Sequence, residues 1–329
     1  MAMELANVTG FPALLFRTAI DQTRMAAAVV ARVTYRIAPG GQLTRAEEQP
    51  WGVSRTPWEG PAGPMPSDEV FYRGGVDLFV FGEAWAPGGR PVSSGQVQVR
   101  VRDRFEDRVE ATLAVFGDRV WTGRAGALKM SPPAPFASMP LALSRAYGGA
   151  AAWDGLRVPF PGNPAGKGFC LSQEQAAGAA LPNLEDPRCP VRRWNDAPEP
   201  VGTAICPAWW PSRVQAGLTV DAQGRLTALR GRYFNDAFPA LVAPTARPGD
   251  IVELEGVTPD GALGFVIPPP PLVAEVSAGA ARLEGPLNVD QIGVEPALRR
   301  VFITYRHAFR YTVTARQRRT CALRALGGN

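Results

Sequence analysis

The chain holds one histidine, His307, so chemistry through an imidazole would rest on that side chain alone. A Ser-His-Asp or Cys-His set needs a positioned base, and a multi-histidine metal site needs more than one ring. His307 lies between Arg306 and Arg310, beside Phe309, and neighbouring positive charge lowers the basicity of an imidazole. Carboxylates offer another chemistry. Glu185 and Asp186, with Asp196 and Glu199 nearby, could flank a glycosidic bond as acid and nucleophile. Glu185 and Asp186 precede Pro187, however, and that order reads better as a turn, the Asp bonding its own backbone and the Pro fixing φ. Cys170, Cys189, Cys206 and Cys321 are not spaced as CxxC, which argues against a zinc site or a thioredoxin-like pair. Glycine clusters such as Gly148-Gly149 and Gly166-Lys167-Gly168 form neither GxxxxGK[ST] nor GxGxxG. No catalytic, cofactor-binding or metal set is assigned, although carboxylate sites for Ca or Mg stay open.

Binding residues stand out more than reacting ones. Trp209-Trp210 before Pro211 suits a protein-binding hot spot, because tryptophan carries much interface energy; anchoring an irregular layer is the plainer alternative. Between residues 299 and 324 stand eight arginines and no acid. Such a stretch serves as a solvated strand face, a nucleic-acid face or a surface for an acidic protein. No zinc spacing or glycine-rich RNA signature accompanies it, so no nucleic-acid partner is expected. Arg213, Arg306 and Arg310 join Trp209 and Trp210 as candidate partner-binding residues.

The elements that must hold these residues read as strands. Val33, Tyr35 and Ile37 alternate with polar neighbours, and Val97, Val99 and Val101 alternate with Gln98, Arg100 and Arg102. A glycine-bounded run at 75–82, a strand at 110–116 and a hairpin turn at Gly117-Asp118 complete a β-meander over 70–122. From Ser131 to Pro211 the chain is dense in Pro, Gly and Asn, with short helical turns expected at 141–147 and 173–180. A structureless loop this long is improbable, so an ordered irregular layer is expected, tied down by Trp153, Phe160, Phe169, Trp194, Trp209 and Trp210. Alternation resumes at 214–220 and again after Gly224, and 251–255 and 264–267 are strand-like. A hairpin is expected from 272–276 to 280–283 across Ala278-Gly279, and strands at 301–305 and 311–314 close the chain.

The 35 glycines and 33 prolines favour short strands and turns over long helices. The expected fold is mainly β: antiparallel, sandwich-like sheets with a long irregular Pro/Gly/Trp-rich central layer and little helix. It forms one unit over residues 1–329, or two packed lobes over 1–213 and 214–329. No secretory signal or membrane-spanning stretch is evident, which predicts a cytoplasmic chain with reduced thiols and no membrane partner.

The middle of the chain carries an ordered run of motifs. Gly117-Asp118-Arg119-Val120-Trp121 comes first, then Pro133-Ala134-Pro135-Phe136, Met139-Pro140-Leu141 and Arg145-Ala146-Tyr147-Gly148-Gly149. Asn163-Pro164-Ala165-Gly166-Lys167-Gly168-Phe169, Leu181-Pro182-Asn183-Leu184-Glu185-Asp186-Pro187 and Pro198-Glu199-Pro200-Val201-Gly202 follow. Outside them lie Gly82 to Gly89, Tyr233-Phe234-Asn235-Asp236-Ala237, Leu263 to Pro268 and Val301 to Arg306. This order resembles the domain-of-unknown-function family of effector adaptor or chaperone proteins encoded beside VgrG-type spike and effector genes in type VI secretion loci. The sequence departs from the family pattern at Gly202 to Pro207, where Gly-Phe-Gly-Pro is usual, at Ser212, which separates Pro211 from Arg213, and over Val214 to Arg232, which is shortened. Tyr305 also stands where tryptophan is usual. The resemblance implies a non-catalytic adaptor that binds a secreted toxin effector and helps load it on the spike. It also implies architectural roles for Pro140, Gly148, Gly149, Asn163, Pro164, Gly168, Phe169, Pro182, Asn183, Glu185 and Pro187.

Overall fold

The computed structural model describes residues 3–278, 281–313 and 318–326. Its spine is a pair of long antiparallel strands, Arg24–Ile37 and Arg300–Thr312, in register from Arg36 opposite Arg300 to Arg24 opposite Thr312. Small and β-branched residues make this possible. Ala26 to Ala31 and Val33 are buried on both faces of the strand, where bulkier side chains would hold neighbouring layers apart. The sheet continues outward with Ala13–Ala19 on one side, and with Asn288–Glu295, Val76–Val80 and Val242–Ala243 on the other. Leu43–Arg45 pairs the far end of Arg24–Ile37. All pairings are antiparallel except Val76–Val80 against Asn288–Glu295, which run parallel.

A second sheet orders Leu184–Glu185, Asp107–Phe116, Ser94–Arg102, Ile251–Glu255 and Leu263–Val266. A third orders Leu5–Asn7, Arg319–Ala325, Leu272–Ala278 and Ala281–Pro286. Val97, Val99 and Val101 of the second sheet, Leu272 and Leu323 of the third, and Val29 and Val33 of the spine share one apolar core. The fold is thus mainly β with mostly antiparallel sheets, as expected. Residue 213 does not separate the sheets, because segments before and after it pair in all three.

Several local expectations change. Val76–Val80 lies in the main sheet while Ser94–Arg102 and Asp107–Phe116 form the second, so residues 70–122 are not one meander. Gly117-Asp118 does not turn a hairpin: Trp121–Thr122 pairs with Lys129–Met130 instead. The stretch expected as strand at 214–220 is the helix Pro211–Gly217, with only Leu218–Val220 extended. Pro211 takes the first helical position, where its fixed φ fits and its missing N–H costs nothing. The helical turn expected at 141–147 shrinks to Leu143–Arg145, and the next to Gln173–Ala176. Leu272–Ala278 and Ala281–Pro286 do pair, but residues 279 and 280 of that turn lie outside the described residues, as does Thr314.

The irregular layer is held by hydrogen bonds more than by tryptophans. Asn163 is buried, and its Nδ2 donates to the carbonyls of Leu143 (2.7 Å) and Tyr147 (3.0 Å). Its own carbonyl accepts from Gly149 N–H at 2.8 Å. Asn183 ties the layer to the second sheet, donating from Nδ2 to Phe116 O at 2.9 Å and accepting Phe116 N–H at 2.8 Å. Glu185 accepts from Arg119 Nη2 at 2.5 Å and from Val191 N–H at 3.1 Å. Phe160, Phe169 and Trp194 pack around Trp121, Tyr147 and Leu181, and Pro182 backs Gly168. Pro140 pairs opposite Glu83, while Pro164 and Pro187 are exposed. Trp153 and Trp209 are exposed, and Trp209 touches the layer through the ring of buried Trp210.

Gly148 shows how tight the layer is. Its φ is +143°, and a Cβ there would sit 2.1 Å from the Asn163 carbonyl oxygen. Gly148→Ala is expected to destabilise the protein by about 1–3 kcal/mol through overpacking alone. Urea unfolding measures this, and an unchanged midpoint would show that the Asn163 segment yields freely.

Candidate functional site

A cleft of about 660 Å³ opens beside the second sheet. One wall is the strand segment Glu110 to Leu113, and the others are residues 186–189, 199–203 and 238–241 with Trp210 and Ser212. Trp210 caps the start of the helix Pro211–Gly217 and is buried against Phe238, with ring centroids 5.1 Å apart and edge to face. Cys206 and Leu143 close that small core. Trp209 rests on Trp210 at 5.7 Å but is 52% exposed. The hairpin after the helix, Leu218–Val220 with Leu226–Leu229, carries Val220, Leu226 and Leu229 into solvent.

The helix and the 236–241 wall are fixed from below by charge. Arg32, Arg73, Arg213, Arg306, Asp68, Asp77, Asp236 and Asp290 are all buried. Arg73 bonds Asp290 at 2.7 Å and Asp236 at 2.6 Å, and its Nε lies 3.2 Å from Asp77 without being aligned to donate. Arg213 reaches Asp236 at 3.1 Å and the Cys206 carbonyl at 2.5 Å. Arg306 bonds Asp290 at 3.0 Å and the Val70 carbonyl. Arg32 bonds Asp68 at 2.6 Å and the Gly52 carbonyl, and Gln291 links it to Asp77. Asp77 also accepts Asn235 Nδ2 at 2.9 Å and Asp236 N–H at 3.0 Å. Burial pushes the Asp77 carboxyl up to about 6, with Arg73 opposing. Asp290 is held below the usual carboxylate range because Arg306 and Arg73 outweigh its burial.

Of the five candidate partner-binding residues, the structure leaves two at the surface. Trp210 is almost wholly buried and reaches the surface only as part of the cleft lining, while Arg213 and Arg306 are spent on buried aspartates, which corrects the assignment of the two arginines to a contact surface. Trp209 and Arg310 remain open, Arg310 lying over the Phe71 ring at 5.8 Å. The arginines from 299 to 324 do not form one basic face. Arg300 is paired with Glu295 and Arg324 with Glu275 at 3.0 Å, and Arg316 lies outside the described residues.

The reactive candidates fare similarly. His307 is held below the ordinary imidazole range, and the cause is burial rather than the flanking arginines. Glu185 is locked by Arg119, with burial raising its carboxyl. Asp186 and Glu199 both line the cleft. Asp186 is bonded by Arg188 at 2.7 Å and held below the usual range, opposite to what a proton donor needs. Glu199 accepts Ser212 N–H at 3.0 Å, and Asp196 accepts the Arg192 and Arg193 N–H groups. The four cysteines are free, and burial pushes the Cys321 thiol up to about 12 and Cys206 further. Among the described residues no three His, Cys, Asp or Glu side chains cluster to hold a metal ion, and no helix is long and apolar enough to cross a membrane.

No sequence pattern marks Glu110 and Thr112 as a cleft wall or the aspartates below it as its support. Asn235 and Asp236 lie within the motif Tyr233 to Ala237, which carries no sign of a buried ion network.

Residues 22–306 match the family described as an uncharacterized protein conserved in bacteria (DUF2169). No curated protein and no solved structure matches the chain.

Proposed function

The chain belongs to this family of uncharacterized proteins conserved in bacteria, and on that premise we propose that it is a non-catalytic adaptor. It binds a cognate secreted toxin effector and helps load it on a VgrG-type spike of the type VI secretion system. The motif order along residues 117–202 supports the specific system. The observation that carries a binding role is the set of large apolar side chains left exposed before and after the helix Pro211–Gly217. Trp209 stands open on its own helix start, and Val220, Leu226 and Leu229 follow it on an exposed ribbon. Half-exposed tryptophan on a rigid base supplies contact area at low entropic cost. The buried ion network holds that base, because Arg213 and Asp236 tie the helix to the strand Val76–Val80.

Co-purification of the tagged protein from its bacterium tests the proposal. A toxin-like protein and a spike subunit are expected with it. Trp209→Ala is expected to weaken effector binding by about tenfold or more, as loss of an interface anchor does, without changing the urea midpoint. Recovery of neither protein would sink the adaptor reading; unchanged affinity in the variant would remove Trp209 from it.

A further inference from the structure

The strand Asp107–Phe116 has one edge that its sheet leaves open. Ser94–Arg102 pairs the other edge along nearly its whole length, whereas Leu184–Glu185 covers only Ala114 and Val115 on this one. The direction of the open backbone groups follows from the pairing that exists. Phe116 N–H bonds Asn183 O at 2.8 Å, and Ala114 stands opposite Glu185. Strand groups alternate with period two, so Thr112 and Glu110 also turn their N–H and C=O to this side. Among the described residues nothing hydrogen-bonds them there. Both residues line the 660 Å³ cleft, which brings Val201, Phe238 and Leu241 to the same space.

An unpaired edge facing a preformed apolar cleft is the arrangement that strand addition uses, with main-chain bonds giving affinity and side pockets giving selectivity. Charge narrows the occupant further. Asp186 and Arg188 neutralise each other at 2.7 Å, and Glu110 is taken by Arg100 at 3.0 Å. Among the described residues exposed Glu199 bonds only the Ser212 N–H, so the rim keeps a negative charge. We infer that the cleft takes an extended segment of a partner polypeptide as an added strand on Glu110 to Thr112, with apolar residues against Val201, Phe238 and Leu241 and a basic residue at Glu199. This rests on the reading that the partner is a protein.

The test uses random twelve-residue peptides displayed on phage, selected on the full chain and counter-selected on Thr112→Pro. Proline at 112 deletes the outward N–H and no ladder bond to Gln98, and edge positions tolerate it. Enriched peptides are expected to alternate apolar residues and carry a Lys or Arg. They should bind Thr112→Pro at least tenfold more weakly than wild type, bind Thr112→Val equally well, and slow amide exchange at Glu110 and Thr112. Glu199→Lys, an exposed change, should weaken the same peptides if Thr112→Pro does not fold. Failure to enrich any peptide, or equal affinity for wild type, Thr112→Pro and Glu199→Lys, overturns the inference. An effector that co-purifies equally with Thr112→Pro overturns the edge and leaves the adaptor role standing. Peptides that bind while no effector co-purifies do the reverse.

Discussion

Asp236→Ala is expected to destabilise the fold by about 3–5 kcal/mol, the cost of stranding one partner of a buried ion pair. Asp236 accepts from Arg73 on one oxygen and from Arg213 on the other. Without it Arg73 keeps Asp290, but Arg213 keeps only the carbonyls of Cys206 and Tyr233. A buried guanidinium facing carbonyls has lost its neutralising charge, and water cannot reach it cheaply. The loss is a large share of the ~5–15 kcal/mol that holds a typical domain together. Two controls locate the effect. Glu253→Ala breaks the partly exposed pair with Arg102 and should cost no more than about 1 kcal/mol. Asp236→Ala combined with Arg213→Met removes the stranded charge and should recover part of the loss. Urea midpoints of the four proteins measure all of this. A loss below about 1 kcal/mol for Asp236→Ala would mean that the network is not what fixes the cleft walls.

How much of this was legible depended on whether the signal is local. Val97, Val99 and Val101 alternate with polar residues because one face of their strand is buried, and that pattern needs no partner to be read. Parallel pairing of Val76–Val80 with Asn288–Glu295 joins residues some 200 positions apart, and periodicity carries no information about it. The helix Pro211–Gly217 overlaps the strand expected at 214–220, because seven residues hold too few turns to show a 3.6 period. Pro211 after Trp210 was the missed signal. Arg213 and Arg306 were placed at the surface because arginine usually is; their acids, Asp236 and Asp290, were recognisable only once folded. Asn163 and Asn183 entered through motifs, and their side-chain bonds explain why asparagine stands there. The open edge at Glu110 and Thr112 had no sequence signal at all. It exists because Leu184–Glu185 is two residues long.

The adjacent tryptophans separate stability from binding, and Trp210→Ala is the second large expected effect. Trp210 is 1% exposed and packs edge to face on Phe238, over Cys206 and Leu143. Truncation leaves a cavity that this small core can close only in part, at a cost of about 3–5 kcal/mol. Trp209, one residue earlier and half exposed, has no such cavity to leave. Trp210→Ala should therefore lower the urea midpoint strongly, whereas Trp209→Ala should leave it in place. The binding readout runs the other way. With enough protein kept folded at low temperature, any loss of affinity in Trp210→Ala comes through Trp209, which rests on its ring at 5.7 Å, and through the cleft wall that Trp210 shares with Phe238. Trp210→Phe restores part of that wall and should recover both stability and binding together. Recovery of stability without binding would mean that the partner touches Trp210 directly where it lines the cleft. Equal midpoints for Trp209→Ala and Trp210→Ala would mean that the small core around Cys206 contributes nothing to the fold.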